Sequence, residues 1–487
     1  MKRNLLTALI LLAALLPLIF LWSADYLPFT DYPNHLAVVK VLRSYDSDPF
    51  YREYFTVHYL NPLPAPNMIF DLFAAKLFPF VDEDIAGRIF LSLYVVLSLL
   101  SVILLSRETG ANSDAALLGY LPLLYGFFFQ AAFMNFLFSI PLVFLALAAL
   151  LRFEKKGGGH SLAALLCLSG LVYLSHIFSF LVLALIVTIR LPRAGQKKIF
   201  LGVLALCFAA VAGYLVSAGL SFRWPPSVAG YKLHIMPLYL LTYPLQYYDG
   251  KLADLCLALY GAALCWLLLF SGVKEKRFLF AAAALAFCYA VFPFSGAGGT
   301  LIDVRFLPFA GLLFLVSLGK DNRTRYVVPF SLLGIVIALK LFGSLSYYAS
   351  FSREFPKMMA CMEQIGERSA VLPVVSIEGS NINPYTHSWG YLVLKKDIVT
   401  PYIFAGGQRP LGWRRSLYAP SGIWGYESGR AKSPLLWERV GETYAYLLIV
   451  GRTERIERQA EEIGSKQCGT PVMTLYRLNG RNQMLPR

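Results

Sequence analysis

Long apolar runs dominate the chain, separated by short loops in which Lys and Arg collect. The runs fall at 5–22, 85–105, 114–129, 132–151, 161–175, 177–190, 199–219, 253–271, 278–293, 304–319 and 326–345. A helical bilayer crossing needs roughly 20 apolar residues, so the pattern predicts about eleven membrane-spanning helices. Read as one helix, 161–190 is too long for a bilayer without strong tilt. Basic clusters flank it, Lys155 and Lys156 before and Arg190, Arg193, Lys197 and Lys198 after. Short basic loops stay cytoplasmic, so this stretch is expected to cross twice, as two short helices that meet near His176. The same rule places Lys2/Arg3, Arg107, Lys274/Lys276/Arg277 and Lys320/Arg323/Arg325 inside. The N-terminus is then cytoplasmic and the C-terminal part outside. Ser23-Ala24 after the first run would suit a cleaved signal peptide, but the run exceeds a usual signal core and is read as a retained helix.

Two regions break the apolar pattern. Residues 24–84, the first outer loop, hold many aromatics, prolines and acids. Within them, 33–45 (Leu36, Val39 and Leu42 on one face) and 67–77 (Ile69, Leu72 and Phe73 apolar) read as helices lying in the interface. Residues 351–487 are polar enough to fold in water. A helix near 354–367, strands near 369–376, 444–450 and 472–478, and a helix over 454–466 predict a small α/β domain. Its strand–helix–strand run is expected to form a right-handed crossover. The segment 380–435, rich in Gly, Pro, Trp and Arg, is expected to be irregular. The fold class is therefore a polytopic α-helical membrane protein, with a transmembrane domain over 1–350 and an extracytoplasmic α/β domain over 351–487.

Composition agrees with this division. Of 487 residues, 57% are hydrophobic and only 15% charged, more apolar surface than a soluble domain hides. The net charge of +15 sits in loops, where it sets topology and meets anionic lipid headgroups. No basic helix with interleaved aromatics suggests nucleic acid. Of seven cysteines, five lie in apolar runs. Cys361 and Cys468 are the two in the polar C-terminal part and are candidates for a disulfide in an oxidising compartment. No cysteine or histidine cluster suggests zinc.

The densest chemistry follows the first apolar run, in Thr30-Asp31-Tyr32-Pro33-Asn34-His35. Asp31 at a helix N-terminus and Pro33 in its first turn make a helix start. The same carboxylate meets the favourable end of the helix dipole and can serve as a base. His35 lies four residues on, one helical turn away. Asp25 and Asp71 are weaker candidates in this loop. His176, at the tip of the helical hairpin, is an ionisable group at membrane depth, where such groups are often functional. Arg305, in Asp303-Val304-Arg305, could fork onto a phosphate or pair with Asp303. Arg223, Lys232 and His234 lie among aromatics in the loop 220–252, which suits a sugar and phosphate or an interfacial aromatic belt. Asn135 at a short outer turn is expected to satisfy backbone.

An inside N-terminus, an acid just after the first span, two interface helices, many spans and a terminal outer α/β domain resemble the GT-C superfamily of membrane glycosyltransferases. The resemblance implies a sugar donor on polyprenyl phosphate and a glycan, lipid or protein acceptor. It implies Asp31 as catalytic base, with His35 beside it, and Arg305 near the lipid phosphate, with His176, Lys232, His234 and Arg223 as further substrate-binding candidates. Many relatives carry paired acids in the first loop, whereas Asp31 is followed by Tyr32. No metal ligand is assigned, and a divalent cation is left open. The location implied is a bacterial inner membrane. Two other readings are a transporter or flippase for a lipid-linked or anionic solute, which would want buried mid-membrane charges and repeated halves, and a non-catalytic assembly protein.

The loop charges make the topology testable. A reporter fused after Arg325 is expected to be cytoplasmic and one fused after Gly379 periplasmic; a cytoplasmic C-terminal domain would overturn the arrangement.

Overall fold

The computed structural model describes residues 2–58, 66–190, 202, 205, 250–292, 295–296, 299–319, 326–376, 382–406, 409–420, 434–451 and 453–480. The expected span at 199–219, apart from residues 202 and 205, and the candidates Arg223, Lys232 and His234 lie outside these residues. Every other expected run carries a helix. Helix α1 is Lys2–Ser23, and after the first polar loop come α5 (Glu83–Thr109) and α6 (Ser113–Leu124). The short α7 (Phe127–Ala131) leads into α8 (Met134–Lys156), α9 (Gly159–Ser175) and α10 (Ile177–Arg190). Then follow α11 (Gly250–Phe270), α12 (Lys276–Val291), the antiparallel strand pair β2 (Ser295–Gly296) and β3 (Gly299–Thr300), α13 (Leu307–Ser317) and α14 (Val327–Met362). Five of the described helices are long and apolar enough to cross a membrane, and several shorter apolar helices accompany them. Their free faces are apolar: Leu12 is 60% and Ile19 67% exposed on α1, as lipid contact requires. The chain is a multi-pass membrane protein.

The stretch 159–190 does divide at His176. Its backbone is extended (φ −162°, ψ 120°), which ends α9 and restarts the helix as α10.

The first polar loop folds as α2 (Tyr32–Ser44), α3 (Pro49–Tyr54), strand β1 (Phe55–Val57) and α4 (Ile69–Leu72), the last continued by a wider π turn over Phe73–Leu77. Arg43 secures that turn by donating to the carbonyls of Ala74, Phe78 and Val81 at 2.7–2.8 Å. Tyr32 is fully buried and donates to the Asp84 carbonyl at 2.8 Å. Gly87 makes room for its ring, since a Cβ there would lie 2.5 Å from the Tyr32 hydroxyl.

The C-terminal region adds β4 (Val371–Val375), α15 (Gly390–Lys396), β5 (Leu411–Trp413), α16 (Trp437–Thr443), β6 (Tyr446–Val450), α17 (Glu454–Ile463), β7 (Gly464–Thr470) and β8 (Met473–Leu478). Its four-stranded sheet runs β4-β6-β8-β7, with β4 and β6 parallel and the other pairs antiparallel. This corrects the expected crossover: α17 feeds β7, which turns back as a hairpin, so β8 lies antiparallel to β6. Strand β7 was hidden because Gly-Ser-Lys-Gln-Cys-Gly-Thr has no apolar alternation and lies at an edge, largely exposed. The segment expected to be irregular contains α15 and β5. The helix expected at 354–367 is the end of α14, whose 36 residues span about 54 Å. That exceeds a hydrocarbon core of about 30 Å, so α14 runs on into the sheet region. There Cys361 is bridged to Cys468 of β7, with Cα atoms 5.9 Å apart.

The C-terminal region is built onto the first loop. Strand β5 pairs antiparallel with β1. The Asn34 side chain donates to the Tyr402 carbonyl at 2.9 Å and accepts from the Phe404 N–H at 3.0 Å. Gly390 lies so close to α2 that a Cβ would sit 2.3 Å from the Pro33 carbonyl. Tyr51 donates to Asp397 at 2.8 Å. Asn34→Ala would orphan two buried backbone groups, at about 1–3 kcal/mol each. It is expected to lower the Tm of the detergent-solubilised protein by several degrees; an unchanged Tm would show that this joint contributes little.

Candidate active site

Asp31 sits at the N-cap of α2, where Pro33 starts the helix. Its backbone is held by the turn after α6: Asp31 N–H donates to the Ala131 carbonyl at 2.9 Å, and Thr30 N–H to that of Gln130 at 3.4 Å. The side chain makes no capping bond to the helix. It turns instead toward His387, whose Nδ1 lies 3.1 Å from Asp31 Oδ1 and 3.2 Å from the Thr30 carbonyl. His387 comes from the segment before α15, and its own side chain is 4% exposed against 17% for Asp31.

Asp31 is the charge around which this region is organised. Its field acts on His35, Arg305 and Arg409 as well. His35 is half-buried, its ring edge-on to Phe70 and Phe404 at 5.8 and 5.2 Å. Burial pushes its pKa down to about 3; Asp31 opposes the shift, while Arg409 and His387 add to it. The imidazole is therefore neutral at physiological pH. Arg409, just before β5, stays accessible and lies over the Phe404 ring at 4.0 Å. The charges of both Asp31 and Asp71 reach it.

Asp71, from α4, is the second carboxylate. It is 4% exposed, and burial pushes its pKa up to about 7 against the pull of Arg409, an Asn135 hydrogen bond and its own backbone. Asn135 fixes this corner, accepting from Phe70 N–H at 2.8 Å and donating to the Asn67 carbonyl at 2.7 Å. That is the backbone role expected for it, with Asp71 as an added partner.

Arg305 lies in the helical turn leading into α13. It stands over Phe133 and Phe136, with centroids at 5.6 and 5.2 Å, and feels both Asp31 and Asp303. Its Nη1 donates to His176 Nε2. The Phe178 N–H also approaches His176 Nδ1, at 3.2 Å. A neutral imidazole has one lone pair, so it accepts from Arg305 or from the Phe178 N–H but not from both at once.

Asp31, His35, Arg305 and His176 are thus gathered in one neighbourhood. Asp25 is elsewhere, in the wall of a separate recess of about 190 Å³ between α1 and α14 that Asp31 does not line. Sequence reading missed His387, Phe404 and Arg409; the one signal was the density of aromatic and basic residues over 380–435. Among the described residues no group of three His, Cys, Asp or Glu could hold a metal ion.

The raised pKa of Asp71 makes a stability test. Its folded value lies above the ordinary 3.8, so its contribution is fully present below that pH and is lost as pH rises to about 7. Asp71→Asn keeps the shape and cannot ionise. It is expected to raise Tm by more at pH 8 than at pH 4.5; an equal gain at both would show that Asp71 does not titrate in this range.

No known family model matches the chain, and no curated protein resembles it in sequence. Solved structures do. The mycobacterial arabinofuranosyltransferase AftD superposes with a TM-score of 0.50 at 13% identity, over 98% of this chain and 42% of that one. The chain thus spans less than half the length of AftD. ArnT from Cupriavidus metallidurans, in a structure bound to undecaprenyl phosphate, superposes with a TM-score of 0.50 at 10% identity, over 100% of this chain and 99% of that one. Over its whole length, the chain shares the fold of AftD and ArnT.

Proposed function

We propose that this protein is an inverting membrane glycosyltransferase that moves a sugar from a polyprenyl-phosphate donor to an acceptor hydroxyl, with Asp31 as general base. The observation that carries the reading is the single neighbourhood formed by a partly exposed carboxylate, Asp31, and two guanidinium groups, Arg305 and Arg409. Asp31 takes the acceptor hydroxyl proton while the oxygen bonds to the anomeric carbon from the face opposite the phosphate. The carbon–oxygen bond to phosphate breaks, and its electron pair leaves on polyprenyl phosphate, which needs no proton. Arg305, tethered to His176, and Arg409 meet that growing charge. Arg223, Lys232 and His234 remain candidates for the donor pyranose or furanose and its phosphate. The undecaprenyl phosphate in the ArnT structure supports a lipid phosphate as ligand. Asp71, the second carboxylate, reaches the site through α4 rather than from the position after Asp31.

The site belongs on the outer face of a bacterial inner membrane, with a transmembrane domain over 1–350, a periplasmic domain over 351–487 and a cytoplasmic N-terminus. The loop charges support that orientation, as does the Cys361–Cys468 bridge, since disulfides persist in oxidising compartments.

Asp31→Asn keeps the shape of the side chain but cannot take a proton. With a panel of undecaprenyl-phosphate-linked sugars, it is expected to lower transfer by roughly a hundredfold or more while the protein stays folded. Arg305→Lys keeps the charge, loses the fork and should cost less. Undiminished transfer in Asp31→Asn would remove it from the mechanism. Movement of the lipid-linked sugar across the membrane without its consumption would favour the flippase reading.

A further inference from the structure

We infer that His387, supplied by the C-terminal region, is a positioning residue for Asp31, its Nδ1–H fixing which carboxylate oxygen faces the acceptor. This rests on the reading of Asp31 as general base. Two oxygens face His387 Nδ1, Asp31 Oδ1 at 3.1 Å and the Thr30 carbonyl at 3.2 Å. A carbonyl only accepts hydrogen bonds, so the proton sits on Nδ1 and is donated to Thr30, with Asp31 Oδ1 in close charge contact beside it. Because both oxygens belong to consecutive residues, the ring grips the start of α2 as well as the carboxylate. Oδ1 is thereby held against the ring by charge contact, and Oδ2 is left to take the acceptor proton.

The order of burial gives the same roles. His387 is the enclosed member of the pair and Asp31 the accessible one, so Asp31 meets the substrate and the imidazole stands behind it. The ring cannot swing away easily. It lies edge-on to Phe404 at 5.0 Å and to Trp389 at 5.9 Å, and Trp389 is fully buried. Gly390 follows in sequence, pressed against the Pro33 carbonyl. The joint that docks the C-terminal region on α2 is therefore the joint that aims the base, and a supporting hydrogen bond of this kind sets geometry that transfer chemistry depends on.

Two measurements on the full-length protein in detergent separate this inference from the proposed activity. The chain has six histidines, so ¹⁵N-histidine labelling gives few signals, and His387→Phe identifies the one that matters. Near pH 7, His387 Nδ1 is expected to show a protonated nitrogen whose resonance moves in Asp31→Asn, while that of His160 does not. An unprotonated Nδ1, or one indifferent to Asp31→Asn, overturns the inference whatever the enzyme does. In transfer assays with undecaprenyl-phosphate-linked sugars, His387→Phe keeps the ring packing and loses the donor. It is expected to lower kcat roughly tenfold or more with little change in KM. His387→Asn, which restores a donor near Nδ1, should recover most of that loss. Equal activity in the Phe and Asn variants overturns the positioning role and leaves the activity standing. A protonated, Asp31-coupled Nδ1 in a wild-type protein that transfers none of these sugars overturns the base reading on which the role depends.

Discussion

The negative charge of Asp31 is the constraint around which the site is organised. A carboxylate mostly withdrawn from water must find partners, and no single element supplies them. His387 and Arg409 come from the C-terminal region, His35 from α2 itself and Arg305 from the turn before α13. Each of these would be poorly placed without the others. Arg305 needs His176, which needs the break between α9 and α10. Arg409 leans on Phe404, whose backbone hangs on Asn34 one residue before His35. The polar contacts thus tie together elements that lipid alone would leave free to slide, because bilayer and apolar helix faces attract each other about equally well.

Much of the architecture was legible because lipid is a demanding solvent. It forces apolar length and basic loop ends, and both are written directly in the sequence; even the division at His176 followed from the basic clusters on its two sides. The helices α2 and α4 of the first loop were legible from their apolar spacing. In the polar C-terminal region three strands and a helix were legible, but strand β7 has no alternation to betray it and α14 runs on past the apolar residues that announced it. Asp31, His35, Arg305 and His176 could be picked out because ionisable groups are conspicuous among apolar runs. His387 and Arg409 could not, since a His or Arg in a polar, aromatic-rich segment is ordinary until the fold shows what stands opposite it. Asp71 was visible as an acid, but its coupling to Arg409 is a tertiary fact.

The same contrast explains how a chain so different in sequence shares the fold of AftD and ArnT. At 10–13% identity, little beyond apolar length, loop charge and the placing of a few polar groups need be held in common. Lipid-facing residues exchange freely so long as they stay apolar. The C-terminal sheet obeys a different rule: β4 and β6 are buried on both faces, and their residues must fit one another.

The clamp between α2 and the segment before α15 also imposes an order in time. Thr30 and His387 are 357 positions apart, and at synthesis rates of about 5–20 residues per second one follows the other by roughly 20–70 s. Throughout that interval the first loop, with its acidic group, waits for the chain's last third. The neighbourhood of Asp31 is consequently among the last parts of the molecule to be completed. A nascent or prematurely terminated chain holds the helices in lipid without the imidazole and guanidinium that complete the site.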